Sequence, residues 1–219
     1  MAQIDIAVGL QYGDEGKGKV TYNLLKNGEY KGCARFNGGP NAGHTIYHND
    51  EKIVLHHIPI SAVLNIPSYI GPNCVVNIDL LNAEVKQLET QLKREVVLTF
   101  HPNVSVITQQ HVDTDKELEN SGYGNGSTKR GIGPAYAAKA TRQAVLLKEL
   151  EDHLTFEHNF MPFSMWTDVL SESSILKDSP DVTILAEGAQ GVWLDPNFGD
   201  YPYVTSSACH AGSACSLGF

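Results

Sequence analysis

Binding a phosphate requires no carboxylate, yet one sits inside the first glycine-rich turn of this chain. Residues 9–19 read Gly9-Leu10-Gln11-Tyr12-Gly13-Asp14-Glu15-Gly16-Lys17-Gly18-Lys19. Free backbone N–H groups in such a turn, followed by a helix N-terminus, attract anions. Lys17 adds a mobile cation, and Asp14 adds a group that can hold a metal or take a proton. The turn is not a regular Walker A loop. Counting back from Gly16-Lys17 puts the first glycine of that motif on Gln11, and Gly18 stands where Ser or Thr belongs. Read alone, its lesser alternative is a tight strand-to-helix connection.

Further turns carry the same character. Asn37 to Thr45 contains Asn41-Ala42-Gly43-His44-Thr45, Gly122 to Pro134 holds Ser127-Thr128-Lys129-Arg130, and Glu187-Gly188-Ala189-Gln190-Gly191 follows an apolar run. His44 is the side chain suited to moving a proton near neutrality. Asn41, Thr128, Gln190 and Thr205 are uncharged polar residues. Taken one at a time, each is an ordinary turn, packing or strand-end residue.

The elements that must position these turns alternate. Ile4 to Val8 reads as a buried strand, with Val20, Leu24 and Leu25 at helical spacing after it, and Asn27-Gly28 as a stop. Gly32 to Phe36 is a short strand, and Ile46 to Leu55 a hairpin with Asn49-Asp50 at its tip. Ser68 to Gly71 and Cys74 to Val76 are short strands. Leu81, Val85, Leu88 and Leu92 share a helix face. Val96 to Phe100 and Val182 to Ala186 are strands, and Ala135 to Arg142 and Val145 to Leu154 are helical. Residues 155–180 are mixed. The alternation predicts an α/β fold, a mostly parallel open sheet flanked by helices, with P-loop-like nucleotide-binding architecture and its site along one edge.

With 219 residues, 42% of them hydrophobic, and no Pro/Ser/Gly-rich linker, one domain over 1–219 is expected. A net charge of −9 argues against general nucleic-acid binding. Cys33, Cys74, Cys209 and Cys215 form no C-x-x-C pair, and no apolar stretch is long enough for a bilayer. Reduced thiols in a cytoplasmic protein, away from the membrane, are the expectation.

Together and in order, the Gln11–Lys19 loop, Asn41–Thr45, Arg130-Gly131-Ile132-Gly133-Pro134-Ala135-Tyr136, and Glu187–Gly191 with Tyr201–Ser207 resemble the adenylosuccinate synthetase family. The resemblance implies a Mg²⁺- and GTP-dependent ligase that joins L-aspartate to C6 of IMP through a 6-phosphoryl intermediate. It implies Asp14 as the base at purine N1, His44 as the acid at O6, and Lys17 and Gln190 as further catalytic groups. The triphosphate would be held by Gly13, Asp14, Glu15, Gly16, Lys17, Gly18, Gly43, His44 and Thr45. Asn41, Thr128, Gln190 and Thr205 would hold the purine monophosphate, joined by Arg142 from the neighbouring subunit of a homodimer. Mg²⁺ would be held by Asp14 and the Gly43 carbonyl.

Some positions depart from the family pattern: Asn37 replaces a usual Gln, Pro40 a bacterial His, and Lys129 a Gly. The short connection from Arg142 to Val182 resembles the compact archaeal or viral branch, some of whose members take dGMP, with ATP or GTP, in place of IMP. Asp14, missing from some of these viral enzymes, favours IMP. The chain stops at Phe219, ahead of family segments that hold aspartate and the GTP base. The expectation is therefore a domain incomplete at its C-terminus, with a non-catalytic nucleotide-phosphate-binding fragment as the alternative to an enzyme.

Overall fold

A computed structural model describes residues 2–121, 124–175 and 182–219. Ten strands and five helices are assigned among them: β1 (Ala2–Ala7), α1 (Lys17–Asn27), β2 (Gly32–Arg35), β3 (His44–His48), β4 (Glu51–Leu55), β5 (Ser68–Ile70), β6 (Val75–Val76), α2 (Ile78–Leu92), β7 (Leu98–Phe100), β8 (Ser105–Val106), α3 (Gln109–Asn120), α4 (Ile132–Ala140), β9 (His158–Phe160), α5 (Phe163–Ile175) and β10 (Val182–Glu187).

Six strands form the main sheet in the order β1-β10-β2-β5-β7-β9, and every pairing is parallel. Parallel strands inside a sheet are covered on both faces, which explains the apolar run in β10, whereas β1, at the sheet edge, alternates Ile4 and Ile6 with Gln3 and Asp5. β10 lies between β1 and β2, with Ala7 opposite Glu187 and Glu187 opposite Arg35. The three strands therefore end side by side, and the turns after them share one edge of the sheet. That is where ligands collect in open α/β folds.

One core layer packs α2, the β3–β4 hairpin and the sheet around residues such as Ile46, Leu55, Leu81 and Phe100. The other face is covered by Phe163, Trp166 and Leu170 of α5. In α2 the apolar face is as read from spacing, with Leu81, Val85 and Leu88 buried, and Glu84 is buried among them. The hairpin turns at Asn49 and Asp50, both at positive φ, a conformation that these short polar residues tolerate.

Several local expectations are corrected. In α1, Val20 and Leu24 are exposed at 51% and 39%, whereas Gly18, Thr21, Tyr22 and Leu25 form the buried face. The helix docks closely on β3 through small residues, so its apolar spacing misplaces the buried stripe. Residues 145–154 contain a kinked 3-10 segment, Leu147–His153, instead of an α-helix. α4 begins at Ile132 and ends before Arg142, which takes a positive φ. α3 has no counterpart among the expected elements, because Gln109–Asn120 carries little apolar periodicity to reveal it. Within the two least regular stretches, positions 122–123 and 176–181 lie outside the described residues. Among the described residues the cysteines are free, and no helix is long and apolar enough to cross a membrane.

Candidate active site

The first turn leaves β1 and enters α1 through Gly13 and Gly16, at φ +112° and +84°. Glycine is the residue that takes such angles without strain. Gly16 caps α1 without any side-chain partner, so the N–H groups of its first turn remain available to an anion. Lys17 is 7% exposed and folded back, donating to the Gly13 carbonyl at 2.7 Å and to Glu15 at 3.3 Å. It is a pinned cation here, which corrects the expectation of a mobile one. Glu15 also accepts the Gln11 N–H at 2.6 Å. Partial burial pushes the Glu15 carboxyl up, but the amides of residues 15, 11 and 13 and the Lys17 ammonium outweigh it and hold it below its ordinary value. Asp14 stays exposed at the tip.

The turn after β10 interlocks with this loop. Val192 and Trp193 donate to the carbonyls of Gly9 and Gln11 at 2.9 and 3.0 Å. A Cβ on Gly13 would lie 3.3 Å from Gln190 Cα. Gln190 is held at φ +57°, a strained setting for a residue with a side chain and one that recurs at functional sites. Its amide donates to Asn41 Oδ1 at 3.2 Å and accepts from Ser207 Oγ at 3.2 Å. Asn37, 1% exposed, ties the same region together. It accepts the Ala189 N–H at 2.7 Å and donates to the Ala208 carbonyl at 2.9 Å.

His44 opens β3 and packs against the start of α1, where a Cβ on Gly18 would lie 2.9 Å from His44 Cβ. A Gly18→Ala substitution must therefore displace His44 or the helix. We expect a loss of about 1–3 kcal/mol, read by urea denaturation, together with a fall in any activity that needs His44. Unchanged stability and activity would show that this contact is loose. Beneath His44 lies Glu187, fully buried, whose Oε1 contacts the imidazole Nδ1; neither atom has another hydrogen-bonding partner. Glu187 Oε2 accepts the Ile60 N–H at 3.1 Å and faces the Cys33 thiol at 3.7 Å. Burial pushes the Glu187 carboxyl up, but the His44 and Arg35 charges and the Ile60 amide outweigh it, and the group lies below its ordinary value. Arg35 is itself 1% exposed and donates to the His56 carbonyl.

Beside these turns lies a cleft of about 770 Å³, within the usual size for a small-molecule site. Asn41, Thr128, Gln190 and Thr205 all line it. Spacing alone could not show that residues so far apart in the chain meet here. The N-terminus of α4 also enters the cleft at Ile132 and Gly133, and Gly131 caps that helix without a side-chain partner. Asp115, 5% exposed, braces the loop by accepting the Gly131 N–H at 2.8 Å and the Ser127 hydroxyl at 2.6 Å. Arg142 is exposed past the end of α4 and does not line the cleft. Thr45 and Gly43 flank His44 near the first loop's helix.

Asp115, Arg35 and Glu187 had no assigned role from sequence. Only Glu187 carried a signal, as the first residue of a turn already singled out. Asp115 lies in a stretch without a motif. In chemical terms the site offers two uncapped helix N-termini for anions, a carboxylate and an imidazole for protons, and neutral amides and hydroxyls between them.

The adenylosuccinate synthetase family model matches residues 6–175 and 164–218. The adenylosuccinate synthetase of Cytophaga hutchinsonii is 36% identical over 97% of this chain and 58% of its own length. That of Drosophila melanogaster is 35% identical over 96% of this chain and 55% of its own. Among solved structures, fully ligated adenylosuccinate synthetase from Plasmodium falciparum superposes with a TM-score of 0.74 at 32% identity, covering 99% of this chain and 58% of that one. Succinoaminodeoxyadenylate synthetase of cyanophage S-2L, bound to dGMP with dATP as energy donor, superposes at 0.78 with 28% identity, covering 99% and 59%. The chain thus spans just over half the length of the curated relatives it matches.

Proposed function

Because the chain belongs to the adenylosuccinate synthetase family, we propose that it carries the phosphate-binding and proton-transfer machinery of a ligase that forms a C–N bond between L-aspartate and a purine monophosphate. The observation that carries this reading is the position of Gln190. It lines the cleft while its backbone abuts Gly13 of the first loop, so a base in the cleft and a triphosphate on the loop would meet beside it.

In this reading the monophosphate lies among Asn41, Thr128 and Thr205, near the N-terminus of α4. Asp14 removes the N1 proton of IMP, which turns O6 into a nucleophile toward the γ-phosphate of GTP. His44 stabilises and protonates on the O6 side. The N–H groups of residues 13–18 and Lys17 neutralise charge on the transferring phosphoryl group. Aspartate then displaces the 6-phosphate, giving adenylosuccinate, GDP and phosphate. Gln190 orients the base, and Thr45 borders the triphosphate. Arg142, exposed as it is, would serve the cleft of a second copy in a homodimer.

The donors present suit Mg²⁺. Among the described residues no cluster of three His, Cys, Asp or Glu side chains converges, and Mg²⁺ is usually bound through one or two protein oxygens together with substrate phosphates. The exposed Asp14 carboxylate and Gly43 carbonyl would hold it. When bound, it would neutralise charge on the triphosphate.

The fit to the dGMP-bound phage enzyme favours a second reading, in which the same cleft takes dGMP with ATP or GTP as donor. Incubating the chain with aspartate, Mg²⁺ and either IMP and GTP or dGMP and ATP separates the two by which pair is consumed. Product absorbance is expected from the IMP arm. Tight monophosphate binding by calorimetry with no turnover in either arm would leave a binding module in place of an enzyme.

A further inference from the structure

Beneath the proposed acid lie two buried charged residues, Glu187 and Arg35, that the reaction scheme above does not use. Glu187 ends β10 at the centre of the sheet and is paired in register with Arg35 at the end of β2. Both side chains are withdrawn from water, at 0% and 1% exposure. A carboxylate in such a place is costly unless opposite charge and hydrogen-bond donors surround it. Arg35 supplies the charge, and Ile60 N–H and Cys33 Sγ supply donors at Oε2. Oε1 is left to His44 alone.

An ionised carboxylate can only accept, so the imidazole nitrogen that faces it must carry a proton. We propose that Glu187 is the positioning residue of His44: it fixes the ring's orientation and keeps a proton on Nδ1. The proton given up by the acid is then the one on Nε2 of the doubly protonated ring, which returns to the neutral form with Nε2 bare. Arg35 keeps Glu187 in the ionised form this requires. The role in catalysis rests on the ligase reading above; the choice of tautomer does not. Carboxylate partners of this kind hold a working histidine in one tautomer, and their loss costs far more in turnover than in binding.

The Ile60 amide makes the test sharp. In Glu187→Gln the Ile60 N–H demands an oxygen at the Oε2 position, so the new NH₂ group faces His44 Nδ1 and requires it bare. The amide therefore reverses the tautomer. Nitrogen NMR of the histidine rings reads this directly in the full chain. Wild type is expected to show His44 with Nδ1 protonated and Nε2 bare in the neutral ring, and Glu187→Gln the opposite. Glu187→Asp, which keeps the charge, should retain the wild-type tautomer. With IMP, aspartate and GTP, Glu187→Gln should lower kcat on the order of 10²-fold with little change in KM, and Glu187→Asp should recover part of the loss.

A bare Nδ1 in wild type overturns the proposal without any variant, so a Glu187→Gln protein that fails to fold does not shield it. Full turnover in a folded Glu187→Gln protein also overturns it. If the tautomers behave as expected while no chain turns over substrate, the ligase reading fails and the assignment of Glu187 to His44 stands.

Discussion

Asp14→Asn is expected to lower turnover with IMP, aspartate and GTP by about 10³-fold, within the range of general acid–base catalysis, while leaving nucleotide binding measured without Mg²⁺ intact or tighter. Asn has nearly the shape of Asp but cannot accept the N1 proton. The electrostatics set the direction of the binding effect. Asp14 is exposed beside a loop built to attract anions, so deleting its charge removes repulsion toward phosphate. A purely structural residue would show a parallel loss of affinity and rate. The split between kcat and KM is therefore the measurement that matters. Equal rates for wild type and Asp14→Asn would remove Asp14 from the mechanism. A rise in affinity with loss of rate would distinguish an enzyme from a binding module.

The largest expected effect on stability is at Glu84. Its carboxylate accepts the N–H groups of His56 at 2.8 Å, His57 at 3.0 Å and Ile58 at 3.1 Å, and meets His57 Nδ1 at 2.9 Å. His57 Nε2 in turn accepts the Asn77 N–H at 3.3 Å, which fixes the proton on Nδ1. Glu84→Ala orphans several buried donors at once and is expected to cost about 3–5 kcal/mol, or about 10 °C in Tm. Scanning calorimetry checks it. A loss below about 1 kcal/mol would mean that water replaces the carboxylate without penalty.

The same cluster predicts a pH dependence. Burial pushes the Glu84 carboxyl up, but His57 and the backbone amides outweigh it and hold the group below its ordinary 4.5. Glu187 is depressed likewise. These carboxylates contribute stability that is present above 4.5 and is lost as pH falls through their lowered folded values. His57 lies below its ordinary 6.5, chiefly because it is buried. The unfolded chain therefore binds that proton first, and stability begins to fall as pH drops below 6.5. All these groups act in one direction. Urea midpoints should decline steadily from neutral to acid pH, and midpoints that rise on acidification would contradict the assignment.

How far the sequence revealed the molecule depended on the kind of signal. β1, β10 and the β3–β4 hairpin were legible because β-branched strand residues and a two-residue polar turn leave local marks, as at Asn49-Asp50. The first loop was legible because its glycines serve backbone angles. The buried face of α1 was not, because Gly18 is buried by close approach to His44 of β3 and Thr21 is buried although polar, and hydrophobicity does not encode that. Nor was the bend of Lys17 onto Gly13, which depends on the fold of the loop itself. Asn41, Thr128, Gln190 and Thr205 could be named from motifs, but their meeting in one cleft is a tertiary fact. Arg35 and Glu84 escaped notice because a charged residue in a strand or helix pattern ordinarily signals a solvent-facing position.

The place of β10 has a consequence for how the molecule is made. β1 and β2 flank a strand that begins at Val182, so a chain emerging from the ribosome has both flanks long before it has the middle. Until residues 182–187 arrive, β1 has no partner in the main sheet, the first loop has nothing to lean on, and Arg35 has no carboxylate beside it. The nascent chain carries this open seam until β10 is out, and such long-range closure is slow. Insertion of β10 then supplies the missing partner of β1, the support of the first loop and the carboxylate in register with Arg35 in a single step. Anion binding by the first loop should therefore be absent from ribosome-stalled chains that stop at residue 175 and appear once β10 is out.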